Sequence, residues 1–237
     1  MAWGTVQKFG RLPDIDAAQT NEDVWDGEGA YTFPAAATAM KISSSSTNDD
    51  GAPVGTGALT MRVYGLNAAW EEVIQDVTLN GQTGVTIPTS LIRVYRAYVL
   101  TAGTGGVNAG DIWIGTGDIT TGVPAVKYAG IKTGMGQTLM AIYTVPAGPV
   151  TSAKLTRWYA TVGAGQAAYA TVALQTREYG ASWRSRRVCG IGEGGWMSDT
   201  LLYGITVQPK CDIRVRVIVN GVNNSAIDAG FDVELND

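Results

Sequence analysis

The chain has 237 residues and a formal net charge of −4, and only 16% of its residues are charged while 45% are hydrophobic. This length accommodates one large β domain or two smaller ones in tandem, and either can bury a real core. The sequence contains no histidine, which excludes Ser-His-Asp and Cys-His catalysis and every imidazole metal site. The acidic balance argues against free nucleic acid as a partner, because phosphate binding needs clustered cations.

The low charge content fits two kinds of surface, one covered by neighbouring proteins and one that is simply the Ser- and Thr-rich face of a β sandwich. No apolar run reaches the roughly 18 residues of a membrane span. The N-terminus lacks the basic and apolar regions of a signal peptide. We therefore expect no membrane partner, and synthesis in a cytoplasm.

Residues 1–28 are predicted to form an extended N-terminal arm, because their helical periodicity is poor. The arm carries Trp3, Phe9 and Trp25 among polar and acidic residues. Isolated aromatics of this kind usually pack against the parent domain, which is the favoured interpretation. The alternative is that they anchor the arm on a partner protein.

A first β-sandwich domain is predicted over residues 29–118. Residues 59–66 alternate between apolar and polar positions, as a half-buried strand does. Asn80-Gly81 lies between two β-type runs and predicts a hairpin whose returning strand covers residues 85–87. Residues 119–137 have weak periodicity, several glycines and Pro124, and are predicted to be a linker.

The second half of the chain, residues 138–237, shows six or seven short β-type segments at regular spacing with no helical segment between them. Residues 212–219 alternate most clearly. This spacing predicts an antiparallel sandwich of jelly-roll type. The predicted fold is therefore all-β, with two tandem antiparallel β-sandwich (jelly-roll-like) domains and an extended N-terminal arm.

Seven stretches are distinctive and follow one another along nearly the whole chain: residues 9–16, 22–27, 77–81, 96–103, 108–112, 142–148 and 229–233. In this order they resemble segments of a group of structural proteins from tailed phages. The resemblance implies a virion component assembled in the host cytoplasm. It implies a head protein that decorates or cements the capsid by bridging subunits of the major capsid protein, as a homotrimer. The runner-up positions are a head spike, or a neck or tail module that binds a host-surface glycan. We expect no cofactor.

Four residues of the second half are candidate interface positions. Arg184 and Arg186 belong to the only dense basic run, and on a strand they would share a face. They could pair with acidic residues of a neighbouring subunit, or form a solvated edge that prevents aggregation. Trp183 and Trp196 flank this region. An aromatic residue on a glycine-rich loop can stack on a sugar or anchor an interface, although capping the core is the favoured interpretation.

The acidic residues offer no convincing catalytic or metal site. Asp23, Asp26 and Glu28 lie among glycines, but their spacing does not match a helix-flanked Ca²⁺ loop, so a solvated acidic turn is favoured. Glu71 and Glu72 are adjacent, and on a strand they would point to opposite faces and could not share a glycosidase cleft. We therefore expect no metal, no catalytic residue and no enzymatic activity.

The two cysteines, Cys189 and Cys211, could be bridged if they lay on neighbouring strands. In a protein made in the cytoplasm, two reduced thiols are the favoured interpretation.

Overall fold

The computed structural model describes residues 4–163 and 169–236, and all of its regular structure is β, which confirms the predicted all-β class. Among the residues described, no helix is long and apolar enough to cross a membrane. The strands are β1 (Gly4–Ile15), β2 (Glu22–Asp23), β3 (Lys41–Ser44), β4 (Ala58–Leu66), β5 (Glu72–Thr78), β6 (Val85–Thr86), β7 (Arg93–Ala102), β8 (Ile112–Thr120), β9 (Val123–Ile131), β10 (Ile142–Thr144), β11 (Ser152–Val162), β12 (Tyr169–Arg177), β13 (Arg184–Gly192), β14 (Trp196–Val207), β15 (Asp212–Asn220) and β16 (Ser225–Asn236).

The chain divides into two compact units whose boundaries differ from the predicted ones. The jelly-roll unit combines the chain up to Tyr31 with the chain from Met140 onward, and the inserted unit is Thr32–Leu139. The predicted arm, residues 1–28, thus belongs to the predicted second domain, since β1 pairs with β16 along almost its whole length. The predicted linker, residues 119–137, contains the whole of β9, which pairs with β8 inside a sheet.

The jelly-roll unit consists of two antiparallel sheets with the strand orders β1-β16-β11-β14 and β10-β15-β12-β13, and the short strand β2 adds to β15. If β2 is left out and the eight remaining strands of this unit are numbered in chain order, the strand order of the first sheet is 1-8-3-6. The strand order of the second sheet is 2-7-4-5. This is the pairing of an eight-stranded jelly roll. The predicted jelly-roll sandwich is therefore present, with its first strand supplied by the N-terminal segment.

The core of the jelly-roll unit follows from the two-residue alternation of its long strands. On β11 the inward side chains include Leu155, Trp158 and Ala160, and on β16 they include Phe231 and Val233, all essentially inaccessible. Trp158 lies opposite Phe231 in the ladder, so two large rings pack side by side. Burial of a side chain such as Phe231 contributes about 1.5–3 kcal/mol to folding.

The inserted unit has two further sheets, with the orders β6-β3-β8-β9 and β5-β4-β7. Residues 67–71 form the tight connection between β4 and β5, where the Trp70 amide donates to the Asn67 carbonyl at 2.9 Å. The hairpin predicted at Asn80-Gly81 is wrong. A turn does form there and Gly81 has a φ of 52°, but the following strand, β6, pairs with β3 and not with β5.

Candidate functional site

The aromatic residues of the N-terminal segment are mostly committed to their own unit. Trp25 is buried, packs edge-on against Tyr31 with 5.1 Å between ring centroids, and donates its indole N–H to the Gly29 carbonyl at 3.0 Å. Phe9 is half-buried on β1, opposite Gly230. Trp3 lies outside the described residues. Trp25 is therefore a packing residue of the jelly-roll unit and is not available as an anchor for a partner.

The acidic residues at positions 23 and 26 form neither a cation site nor a solvated turn. Asp23 is fully buried and accepts from Arg216 at 2.7 and 2.9 Å and from Arg214 at 3.3 Å. Asp26 is buried and accepts from Arg11 at 2.9 Å. The predicted solvated turn is wrong for Asp23 and Asp26, because these carboxylates hold the segment onto the sheet, whereas Glu28 is exposed as predicted. In the part of the chain that the structure describes, no group of three or more His, Cys, Asp or Glu side chains could hold a metal ion.

Trp183 takes part in the same layer of charged side chains. Its ring lies 3.7 Å from the Arg214 guanidinium carbon and 4.6 Å from that of Arg177. Arg177 in turn donates to the buried Asp212 at 2.6 Å. Burial lowers the pKa of Arg214 to about 10, although the facing Asp23 raises it. Trp183 therefore covers two cations, and its ring is not a free stacking platform for a sugar.

Arg184 and Arg186 line one cavity of about 150 Å³ in the jelly-roll unit. The ladder between β12 and β13 is irregular here, because Leu174 faces Arg187 while the next residue, Gln175, faces Ser185. Arg186 is thus the extra residue of a β-bulge. A bulge changes the direction in which the neighbouring side chains point. No pattern in the sequence predicts this bulge.

Trp196 begins β14 and is 74% exposed. The favoured interpretation, that it caps the core, is therefore wrong. The turn before it contains Gly194, whose φ of 60° is one that glycine adopts at no steric cost. This turn places the indole at the surface, where it is free to contact another molecule.

Strand β14 is the open edge of its sheet, and it carries the most exposed apolar side chains of the described residues. Leu155 of β11 pairs with Ile205 and Arg157 pairs with Thr200, so residues 201–204 bulge outward opposite a single residue. Leu202 and Tyr203 belong to this bulge, and their side chains are 84% and 87% exposed. We call residues 201–204 the edge bulge.

The edge bulge lies beside a surface depression of about 330 Å³, which is also lined by Lys154, Thr156, Thr200 and Glu234. Sequence analysis does not detect this feature, because residues 201–207 have the composition of one regular β-strand. Gly204 was the available signal, since a glycine inside a strand pattern often marks a bulge, and its φ is 64°.

Strand β13 is the open edge of the other sheet and carries Val188, which is exposed. The thiol of Cys189 on the same strand is free, and so is that of Cys211, which is buried. Among the described residues of the jelly-roll unit, the most exposed large apolar side chains are therefore those of Trp196, Leu202 and Tyr203 on β14, followed by Val188 on β13. An exposed apolar edge of this kind marks an interaction surface or an aggregation hazard.

Comparison with known proteins adds little. No protein-family model matches the chain, and no curated protein matches it either. A solved structure of the infectious bursal disease virus Gx strain is 11% identical, with 99% of this chain and 72% of that chain covered and a TM-score of 0.25. The crystal structure of the infectious bursal disease virus VP2 subviral particle is 10% identical, with 98% of this chain and 71% of that chain covered and a TM-score of 0.21. At these scores the likeness carries no argument about function.

Proposed function

We propose that this chain is a non-enzymatic structural protein of a tailed-phage virion, which decorates or cements the capsid shell by bridging neighbouring capsid subunits. The observation that supports the proposal most is the exposed apolar edge of an eight-stranded jelly roll. Jelly rolls are recurrent in viral capsid and lectin domains. The tailed-phage assignment depends on the resemblance of the sequence segments described above.

The edge bulge determines how such a protein would dock. A regular open edge strand offers a row of backbone donors and acceptors to any other strand. The bulge at residues 201–204 interrupts that row and presents the Leu202 and Tyr203 side chains in its place. Docking would then be side-chain mediated and specific, which suits a protein present in many ordered copies. Modest contacts repeated over a symmetric shell add up through avidity.

Copy number per particle is the first measurement. Quantitative mass spectrometry of purified particles is expected to find hundreds of copies, and size-exclusion chromatography with light scattering is expected to find a trimer. A handful of copies would place the protein in a spike, neck or tail. Its absence from intact virions would exclude every structural role proposed here.

A surface variant tests whether the edge bulge is the docking site. The double substitution Leu202→Ser and Tyr203→Ser is expected to lower particle occupancy at least about tenfold, because anchors of this kind carry most of an interface's energy. Val54→Ser is the matched control, since Val54 is 73% exposed but belongs to the inserted unit. Equal occupancy for both variants would exclude the edge bulge as the contact.

The second candidate function is binding of a host-surface glycan by a spike or tail module. It is favoured by one observation, the exposed indole of Trp196 on its glycine turn. Aromatic faces of this kind stack on sugar rings. A glycan array should then give a hit that Trp196→Ala loses and that Tyr179→Ala, which removes another exposed aromatic of this unit, retains. An array without a hit would leave only the shell role.

A further inference from the structure

The cavity beside Arg184 and Arg186 lies where β12 ends, β13 begins and β14 ends. It measures about 150 Å³, and its lining includes Thr176, Glu178, Ser182, Arg184, Arg186 and Cys211. All of these residues belong to the jelly-roll unit. The space is large enough for several waters, or for a compact group such as a carboxylate or a phosphate.

The arginines that line this cavity lack counter-charges. Neither Arg184 nor Arg186 forms an ion pair with any residue that the structure describes. The Nε atom of Arg186 is buried and has no hydrogen-bond partner. Buried donors are almost always paired, and an exception calls for a water or an ion as its acceptor. The Arg186 Nε–H, on a residue that lines the cavity, is therefore a buried donor that lacks an acceptor.

The other groups that line the cavity do not cancel the positive charge of the two arginines. Burial raises the pKa of the Cys211 thiol to about 12, so the thiol is neutral at pH 7. Thr176 and Ser182 have hydroxyls that can donate. Glu178 is exposed and supplies the only carboxylate among the lining residues. Two cations therefore face one carboxylate at the solvent side.

We propose that this cavity, the Arg184–Arg186 pocket, is an oxyanion site that holds one carboxylate or phosphate group. The forked donors of a guanidinium match the oxygens of both groups, and the Arg186 Nε–H gains the acceptor that it lacks. The site does not depend on a virion role, because a pocket of this chemistry serves equally for an acidic sugar, a free phosphate or a carboxylate of another subunit.

The full chain with ¹⁵N-labelled arginine tests the proposal. Sodium phosphate and sodium acetate are titrated separately at constant ionic strength, and the Arg186 Nε–H resonance is followed. A saturating shift with at least one anion is expected. Saturation by acetate identifies a carboxylate site, saturation by phosphate alone identifies a phosphate site, and glucose should give no shift. A response to neither anion would refute the site.

Three substitutions locate the effect. Arg184→Gln and Arg186→Lys are each expected to weaken binding about tenfold or more, since each removes charge-assisted or forked hydrogen bonds. The Arg186 Nε–H resonance reports binding in Arg184→Gln, and the Arg184 Nε–H resonance, followed in the parent as well, reports it in Arg186→Lys. Arg187→Gln is the matched control, because Arg187 lies next in the chain, does not line the pocket and contacts Asp199 at 3.5 Å. The control should bind as the parent does. Equal, non-saturating shifts of all arginine resonances in every variant would show nonspecific anion association and refute the pocket.

Discussion

The two units each bury an aspartate completely, and they stabilise it in opposite ways. In the jelly-roll unit, Asp23 is held by the guanidinium groups of Arg214 and Arg216. In the inserted unit, Asp49 has no cation and accepts from the amides of Ala58, Ala109 and Gly110 at 2.6–2.9 Å. It also accepts from the Ser44 hydroxyl at 2.6 Å.

The reason for this difference lies in the backbone. Asp23 lies against β15, where strand amides are already committed to the ladder. Its charge is therefore compensated mainly by the side chains of that strand, and the one amide among the described residues that donates to it is that of Tyr31, at 2.7 Å. Arg214 and Arg216 are two residues apart on β15, and alternate residues of a strand share a face. Asp49 lies among loops, whose amides have no ladder partner. A buried carboxylate thus draws on cations beside a sheet and on peptide groups among loops.

The largest effect is expected for Asp49→Ala, which leaves three buried donors, the amides of Ala58 and Gly110 and the hydroxyl of Ser44, without this acceptor. At about 1–3 kcal/mol for each unsatisfied group, the loss of unfolding free energy is on the order of 6 kcal/mol. This loss is measured by denaturant unfolding in which hydrogen exchange of the amides of the inserted unit is monitored. Asp50→Ala, at the neighbouring half-buried position, serves as the control. A loss under about 1 kcal/mol would mean that water replaces the carboxylate without cost.

Asp23→Ala is expected to destabilise the jelly-roll unit by about 3–5 kcal/mol, because it leaves the buried Arg214 charge uncompensated. Asp14→Ala removes an exposed carboxylate from β1 and should change the denaturation midpoint little. If both variants unfolded at the same denaturant concentration, the pairing of Asp23 would be irrelevant to stability. The two units would then differ in how they bond a buried aspartate but not in the stability that they gain from it.

These two aspartates also show how far the sequence could predict the molecule. The strand over residues 212–219 was predictable because Ile213, Val215 and Val217 all face the core. Strand β1 was missed because its inward positions include Lys8 and Gly10, which break the apolar alternation. Glycine is required at position 10, because a Cβ there would lie 2.4 Å from the backbone of residues 24 and 141.

The candidate site was less accessible to sequence analysis than the fold. The exposed position of Trp196, the bulge at Arg186 and the projection of Leu202 all depend on local register between strands that are distant in sequence. The role of Asp23 was hidden for the same reason, since its arginine partners lie more than 190 residues away. Residue type alone marks such a carboxylate as solvated, and only the tertiary contacts show that it is buried.

A buried acid that has neither a bonded arginine nor several donors around it should remain neutral, and the thiol of Cys211 is such a group. Burial raises its pKa to about 12, so the thiolate fraction at pH 8 is on the order of one in 10⁴. In the folded Cys189→Ser variant, reaction with a disulfide reagent should be at least about a hundredfold slower than in Cys211→Ser. Equal rates would indicate that Cys211 is accessible and ionised.

The same thiol predicts the behaviour of the jelly-roll unit at high pH. The folded-state pKa is raised above the ordinary value of 9.0, so the contribution of Cys211 to stability is complete below pH 9 and is lost as the pH rises toward 12. Cys211→Ser should therefore flatten the alkaline limb of a plot of denaturation midpoint against pH. If the alkaline limb were unchanged in this variant, groups other than Cys211 would be responsible for the loss of stability at high pH.

The smallest effect is expected where the ion-pair geometry is excellent but the site is exposed. In the inserted unit, Arg62 donates to both oxygens of Asp76 at 2.7 Å, a geometry as good as that of Arg216 with Asp23. The hydrogen bonds from Arg62 lower the pKa of Asp76, so any stability from this pair is present above the ordinary carboxyl pKa and is lost as the pH falls through the lowered value. Solvent screens the pair, and Asp76→Ala should leave the denaturation midpoint at pH 7 unchanged within error. A shift comparable to that of Asp23→Ala would show that pair geometry, and not burial, governs the contribution of charge in both units.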